Sequence, residues 1–167
     1  NGVRGSEVFG ANNTIGGIAA ADRNIIAGNT TDGISLDGAS SHDNLVLGNW
    51  VGVDGSGAAT LGNGTQGIYL GNGATNNTVG GTAAGAGNVI GGSTYAGIEI
   101  NGAGTTGNKV QGNAIGTNAS GTLSLANGNN GIYLVNGASS NLIGGTVAGA
   151  GNTVAFNTDR GVVVVDN

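Results

Sequence analysis

Nine carboxylates, four cations and one histidine carry the acid–base capacity of this 167-residue chain. The acids are Glu7, Asp22, Asp32, Asp37, Asp43, Asp54, Glu99, Asp159 and Asp166. Glycoside hydrolysis needs two carboxyl groups roughly 5–9.5 Å apart. On the strands argued below, Asp37 and Glu99 both point outward, but two rungs and one strand step separate them. That is about 12 Å, too far for the task. The cations are Arg4, Arg23, Lys109 and Arg160. Arg4 and Arg160 fall on or beside one face at opposite ends of the stack, about 24 Å apart, with no acid cluster in register with either. His42 lies beside Asp43 in a turn and is replaced by Thr106 one repeat later, as suits a solvated turn residue. Asp54-Gly55-Ser56-Gly57 offers oxygen ligands to calcium, but its counterpart Asn118-Ala119-Ser120-Gly121 lacks the carboxylate. No catalytic group, metal site or cofactor is expected.

One surface combination does suggest recognition. The first outward position of a recurring Gly-Ile-x-Leu strand reads Arg4, Ser35, Tyr69, Glu99, Tyr133, Val163 along the stack. Tyr69 and Tyr133 flank Glu99, with rings about 10 Å apart at two rungs. Aromatic faces beside a carboxylate acceptor supply the stacking and charge-assisted hydrogen bonds of a glycan strip. The plainer reading is that tyrosine favours exposed strand positions. Trp50 falls in another outward column with Ile25 and Val89, which a corner loop or a partner should cover.

The repeat that must position these residues is explicit. Asn13-Thr14-Ile15-Gly16-Gly17 recurs as Asn77-Thr78-Val79-Gly80-Gly81 and as Asn141-Leu142-Ile143-Gly144-Gly145, 64 residues apart each time. Asn24-Ile25-Ile26, Asn88-Val89-Ile90 and Asn152-Thr153-Val154 keep the same interval. A second register, Asn44-Leu45-Val46 and Asn108-Lys109-Val110, divides each unit into turns of 31 and 33 residues. Every turn holds three short β-branched segments between Gly, Asn and Ser corners, which read as strands without any 3.6-residue stripe. Three strands per turn predict an all-β, right-handed parallel β-helix of about five rungs, forming one domain over residues 1–167.

That register places Asn13, Asn44, Asn77, Asn108 and Asn141 in one column and Asn24, Asn49, Asn88, Asn113 and Asn152 in another. An amide both donates and accepts, so stacked asparagines can bond from rung to rung. Asn12, Asn29, Asn63, Asn76 and Asn118 sit in Asn-x-Ser/Thr sequons, which the ladder pattern generates by itself. Alternation turns Ile34/Leu36, Ile68/Leu70, Ile98/Ile100, Ile132/Leu134 and Val162/Val164 inward on one face. Ile15, Val46, Val79, Val110 and Ile143 line a second face, and Ile26, Val51, Ile90, Ile115 and Val154 a third. Longer connections fall at 17–23, 81–87 and 145–151 in the 31-residue turns and at 53–61 and 117–125 in the 33-residue turns.

Composition agrees with a turn-dense repeat. Glycine contributes 38 residues and asparagine 24, with no Pro, Cys or Met. Disorder is the alternative for such a bias, and the strict 64-residue period argues against it. Charged residues are 8% and the net charge is −5, so neither nucleic acid nor an anionic membrane finds the Lys/Arg cluster it needs. No apolar run approaches the roughly 20 residues that span a bilayer.

The Asn-x-Ile-Gly-Gly, Gly-Asn-x-Ile-Gly and Gly-Ile-x-Leu motifs resemble parallel β-helix repeats of the pectin-lyase-like superfamily, in the Asn/Gly-rich form of bacterial surface and secreted proteins. The resemblance covers essentially the whole chain and implies a right-handed coil and an extracellular setting. It implies no single activity, because that superfamily includes lyases, hydrolases, adhesins and structural arrays. Asn157-Thr158-Asp159 resembles a polygalacturonase motif, but that family's paired Asp, Gly-His and Arg-x-Lys elements are missing. Gly2-Val3-Arg4 and Gly161 to Val165 read as strands at the two ends, without a capping helix, which favours self-association through the ends or through adjoining repeats. A structural or adhesive module ranks first, possible fibre formation included, a carbohydrate-binding module second, and a lyase or hydrolase fragment third.

Overall fold

A computed structural model of the chain describes residues 2–165. Three parallel sheets wind into a β-solenoid of about five turns. The first sheet stacks β1 (Ser6–Val8), β4 (Ile34–Asp37), β7 (Ile68–Gly71), β10 (Ile98–Asn101), β13 (Ile132–Val135) and β16 (Val162–Val164). The second stacks β2 (Thr14–Gly16), β5 (Leu45–Leu47), β8 (Thr78–Gly80), β11 (Lys109–Gln111) and β14 (Leu142–Ile143). The third stacks β3 (Ile25–Ile26), β6 (Trp50–Val51), β9 (Val89–Ile90), β12 (Ala114–Ile115) and β15 (Thr153–Val154). Asp166 lies outside the described residues.

The strands are short because each is cut off by a corner that turns the chain onto the next sheet. Between the first and second sheets the turning residue is Asn12, Asp43, Asn76, Gly107 or Ser140, with φ between 54° and 70°. Asparagine and aspartate tolerate this left-handed region better than other side chains, so the sequons at Asn12 and Asn76 answer a backbone demand.

The three aliphatic columns stack as the alternation requires. Ile34, Ile68, Ile98 and Ile132 pair in register, as do Val46, Val79 and Val110 and then Val51, Ile90 and Ile115. All ten of these side chains are fully buried. Both asparagine ladders are continuous. Each Nδ2 donates to the Oδ1 one rung on, from Asn13 through Asn141 and from Asn24 through Asn152.

Two features depart from the sequence reading. A third ladder exists: Asn29 Nδ2 donates to Asn63 Oδ1 and Asn127 Nδ2 to Asn157 Oδ1, both at 2.8 Å, with Ser93 in the middle rung. Asn157 therefore belongs to a structural column, which accounts for the Asn157-Thr158-Asp159 motif. Second, the first strand is Ser6–Val8, not Gly2–Arg4. A Cβ on Gly5 would lie 2.7 Å from the Gly33 carbonyl oxygen, as one on Gly33 would lie 2.6 Å from that of Gly67 and one on Gly67 2.6 Å from that of Gly97. Gly5, and not Gly2, thus occupies the crowded column that admits only glycine, and the frame shifts by three residues.

The turns differ only at their corners. The 31-residue turns carry their extra residues between the second and third sheets, including a single 3-10 turn at Ala20–Asp22. The 33-residue turns carry theirs after the third sheet as small hairpins, closed by antiparallel bridges Val53–Thr60 and Thr117–Ser124.

Candidate functional site

Tyr69, Glu99 and Tyr133 occupy one outward column on consecutive rungs, with Glu99 paired to both tyrosines in register. The shifted frame changes who else stands there. Glu7, not Arg4, pairs with Ser35 above Tyr69. Arg4 belongs to the column just before the strand, in line with Asp32, where its Nε donates to Asp32 Oδ2 at 3.1 Å and its guanidinium also meets Glu7. Arg4 therefore does have an acid, Asp32, in register, with Glu7 beside it on its own rung. Burial works against its charge, yet Asp32 and Glu7 together hold its pKa above the ordinary arginine value.

Glu99 is only 5% exposed. Its carboxylate accepts from Gln66 Nε2 and, at 2.6 Å, from Asn101 Nδ2, so each of its two oxygens is already engaged within the protein. The column thus divides into two patches. On one side Tyr69 borders a shallow polar groove with Arg4, Asp32, Asp37, Thr65, Gln66 and Asn72. Asn72 Nδ2 donates to Asp37 Oδ1 at 2.8 Å, fixing the groove's rim. Partial burial, followed by the fields of Asp37 and Glu99, raises the Tyr69 pKa, so its hydroxyl remains a donor. On the other side Tyr133 packs edge-on against Tyr95, ring centroids 6.1 Å apart at 71°. Burial raises the Tyr95 pKa as well, with Tyr133 and Glu99 adding to it.

The groove members Asp32, Gln66 and Asn72, Glu7 beside Arg4, and Tyr95 beside Tyr133, were not singled out from sequence. Counting back from the recurring glycine, with Gly5 as the first, places Asp32 and Gln66 one residue before Gly33 and Gly67 and would have aligned them with Arg4.

The remaining faces are occupied otherwise. On the third sheet Ile25, Trp50 and Val89 stand in register; the hairpins fold over Trp50 and Val89, while Ile25 stays half-exposed. Val53, Val89, Ala114 and Leu125 form a small buried cluster against Trp50, while the Arg23 guanidinium sits 4.2 Å from the Trp50 ring centroid, a cation–π contact. Asp54 is spent inside its own hairpin: its carboxylate accepts from the Ser56 hydroxyl and from the N–H groups of Ser56, Ala58 and Ala59. These bonds hold its pKa below the usual 3.8. Asn118 Oδ1 plays the same part for the N–H groups of Thr122 and Leu123, so this position caps a turn whether or not it is charged. His42 Nδ1 lies 2.7 Å from Asp43 Oδ2 on an exposed corner, and Arg160 pairs with Asp159 in solvent. Among the described residues no helix is long and apolar enough to cross a membrane.

Comparison with family models, with curated proteins and with solved structures returned no match.

Proposed function

We propose that the chain is a structural or adhesive segment of an extracellular β-helix array of the pectin-lyase-like kind, a stiff element that extends by adding turns. One observation carries this reading. The three inward columns and the first two asparagine ladders pass through every turn without interruption, so the buried chemistry is devoted to joining one rung to the next. The bacterial surface setting rests on the sequence motifs alone. Inserting a second copy of residues 44–107 is expected to lengthen the particle in small-angle X-ray scattering by about 10 Å, two rungs, with its cross-section unchanged. A thicker particle, or product release from a polysaccharide panel, would overturn the structural assignment. Shaving by an impermeant protease on intact source cells checks the location, and full protection there contradicts it.

The groove beside Tyr69 supports a second reading, binding of a neutral oligosaccharide. An aromatic face, fixed amides and carboxylate acceptors line one shallow, open channel. Tyr69→Ala is expected to reduce glycan-array binding at least tenfold while leaving the melting temperature unchanged; equal binding by the variant removes this reading.

A further inference from the structure

The two kinds of corner loop are each spaced two rungs apart, yet those of the 31-residue turns form a ridge without gaps. In the 31-residue turns, the loop at 81–87 touches the one at 17–23 directly: a Cβ on Gly85 would lie 2.1 Å from the Ile18 carbonyl oxygen. The loop at 145–151 meets the one at 81–87 in the same way, with Gly149 against the Thr82 carbonyl at 2.3 Å. The intervening 33-residue turns are bare at this corner and are bridged over, Gly48 N donating to Ala86 O at 2.9 Å and Gly112 N to Ala150 O at 3.2 Å. One loop therefore fills the height of two rungs.

The hairpins, at the corner after the third sheet, reach onto neighbouring rungs. The first covers Trp50 on its own rung and reaches Ile25 on the rung before, whose Cδ1 lies 3.4 Å from the Cβ position of Gly55. The second reaches Thr153 on the rung after, 3.5 Å from the Cβ position of Gly121, while Gly92 N donates back to Leu125 O at 3.1 Å.

We infer that the corner loops lock the phase of the stack: a 31-residue turn accepts as its neighbour, on either side, only a turn whose second corner is bare, as it is in the 33-residue turns. Two 31-residue turns on adjacent rungs would bring their loops closer by one rung, about 4.8 Å, from a contact that already has no room for a methyl group. The partner that fits against the last described turn, residues 141–165, is accordingly a turn with a bare second corner, and not a direct copy of this chain's own first turn. This deepens the array reading, but it concerns packing alone and stands or falls separately from where the protein is displayed.

The test uses two deletions that keep every column and ladder in register, because each joins Asp43 to an asparagine of the first ladder. Removing residues 44–107 takes out a complete 64-residue unit and preserves alternation. Removing residues 44–76 takes out fewer residues but sets the loops at 17–23 and 81–87 on adjacent rungs. The shorter deletion is expected to melt at lower temperature than the longer one, or without cooperativity. Deleting residues 82–87 as well, which makes that corner match Leu47-Gly48-Asn49, is expected to restore a cooperative melt. A 44–76 deletion that melts at or above the 44–107 deletion overturns the phase lock, and so does failure of the trimmed variant to recover.

Discussion

The Asn88 amide makes four hydrogen bonds at a site with no exposure. Its Oδ1 accepts from the N–H and the Nδ2 of Asn49, and its Nδ2 donates to Val46 O and Asn113 Oδ1. Each buried partner left without a bond costs about 1–3 kcal/mol, so Asn88→Ala is expected to cost at least about 3 kcal/mol in urea denaturation. Asn88→Asp should fare no better, since a carboxylate can donate to neither oxygen; a loss under about 1 kcal/mol in either variant would contradict the ladder's role. The third ladder gives the opposite case. Ser93 Oγ is buried without a partner in a column where Asn63 and Asn127 find several. Ser93→Asn is expected to add about 0.5–1.5 kcal/mol, read as a higher urea midpoint, and a lower midpoint would show that the rung cannot take the larger side chain. Two ladders were legible because asparagine recurs in every turn. The third was hidden by that one serine, although Asn63 and Asn127 keep the 64-residue interval. Glu99 was named from sequence, but its partners were not: strand alternation gives its outward direction and not the Gln66 and Asn101 side chains that close on it.

Strands and corners obey different rules, which is why the sequence disclosed one better than the other. The β-branched alternation placed the inward residues of the second and third sheets in the register observed. The first strand was misframed because Gly2-Val3 satisfies the same local pattern as Gly33-Ile34, whereas the constraint that selects Gly5 is the carbonyl of the neighbouring rung. That contact has no local signature. The hairpins show how a corner can be specified twice by different chemistry, Asp54 in one and Asn118 in the other. Because the Asp54 pKa is lowered in the folded chain, the folded chain binds fewer protons at this carboxyl than the unfolded chain does. The stability it adds is full above the ordinary aspartate value of 3.8 and is lost as pH falls through the lowered one. Wild type and Asp54→Asn should therefore differ most near about pH 5 and converge as the pH drops to about 2. The comparison is a pair of thermal melts at each pH, and a gap that widens on acidification would contradict the assigned bonds.

For the whole molecule, stability is set by nearest-neighbour stacking, because, the corner loops of the 31-residue turns aside, each turn touches only those above and below it. The central turns bury their columns on both sides: Ile68, Leu70, Ile90, Ile98 and Ile100 are fully enclosed. Toward the two ends of this chain the same columns open, with Val162 48% and Val164 70% exposed. Local opening follows missing neighbours, so the 167-residue chain should fray from both ends, not unfold first at a corner. Amide hydrogen exchange is expected to be slowest in β7 to β10, faster in β4 to β6 and β11 to β13, and fastest in β1 and β16. A second copy of residues 44–107 inserted into the stack should leave the terminal rates unchanged and widen the protected centre by two turns. Uniform protection along the chain would mean that the solenoid opens as one unit, and that the coupling between rungs exceeds what columns and ladders alone provide.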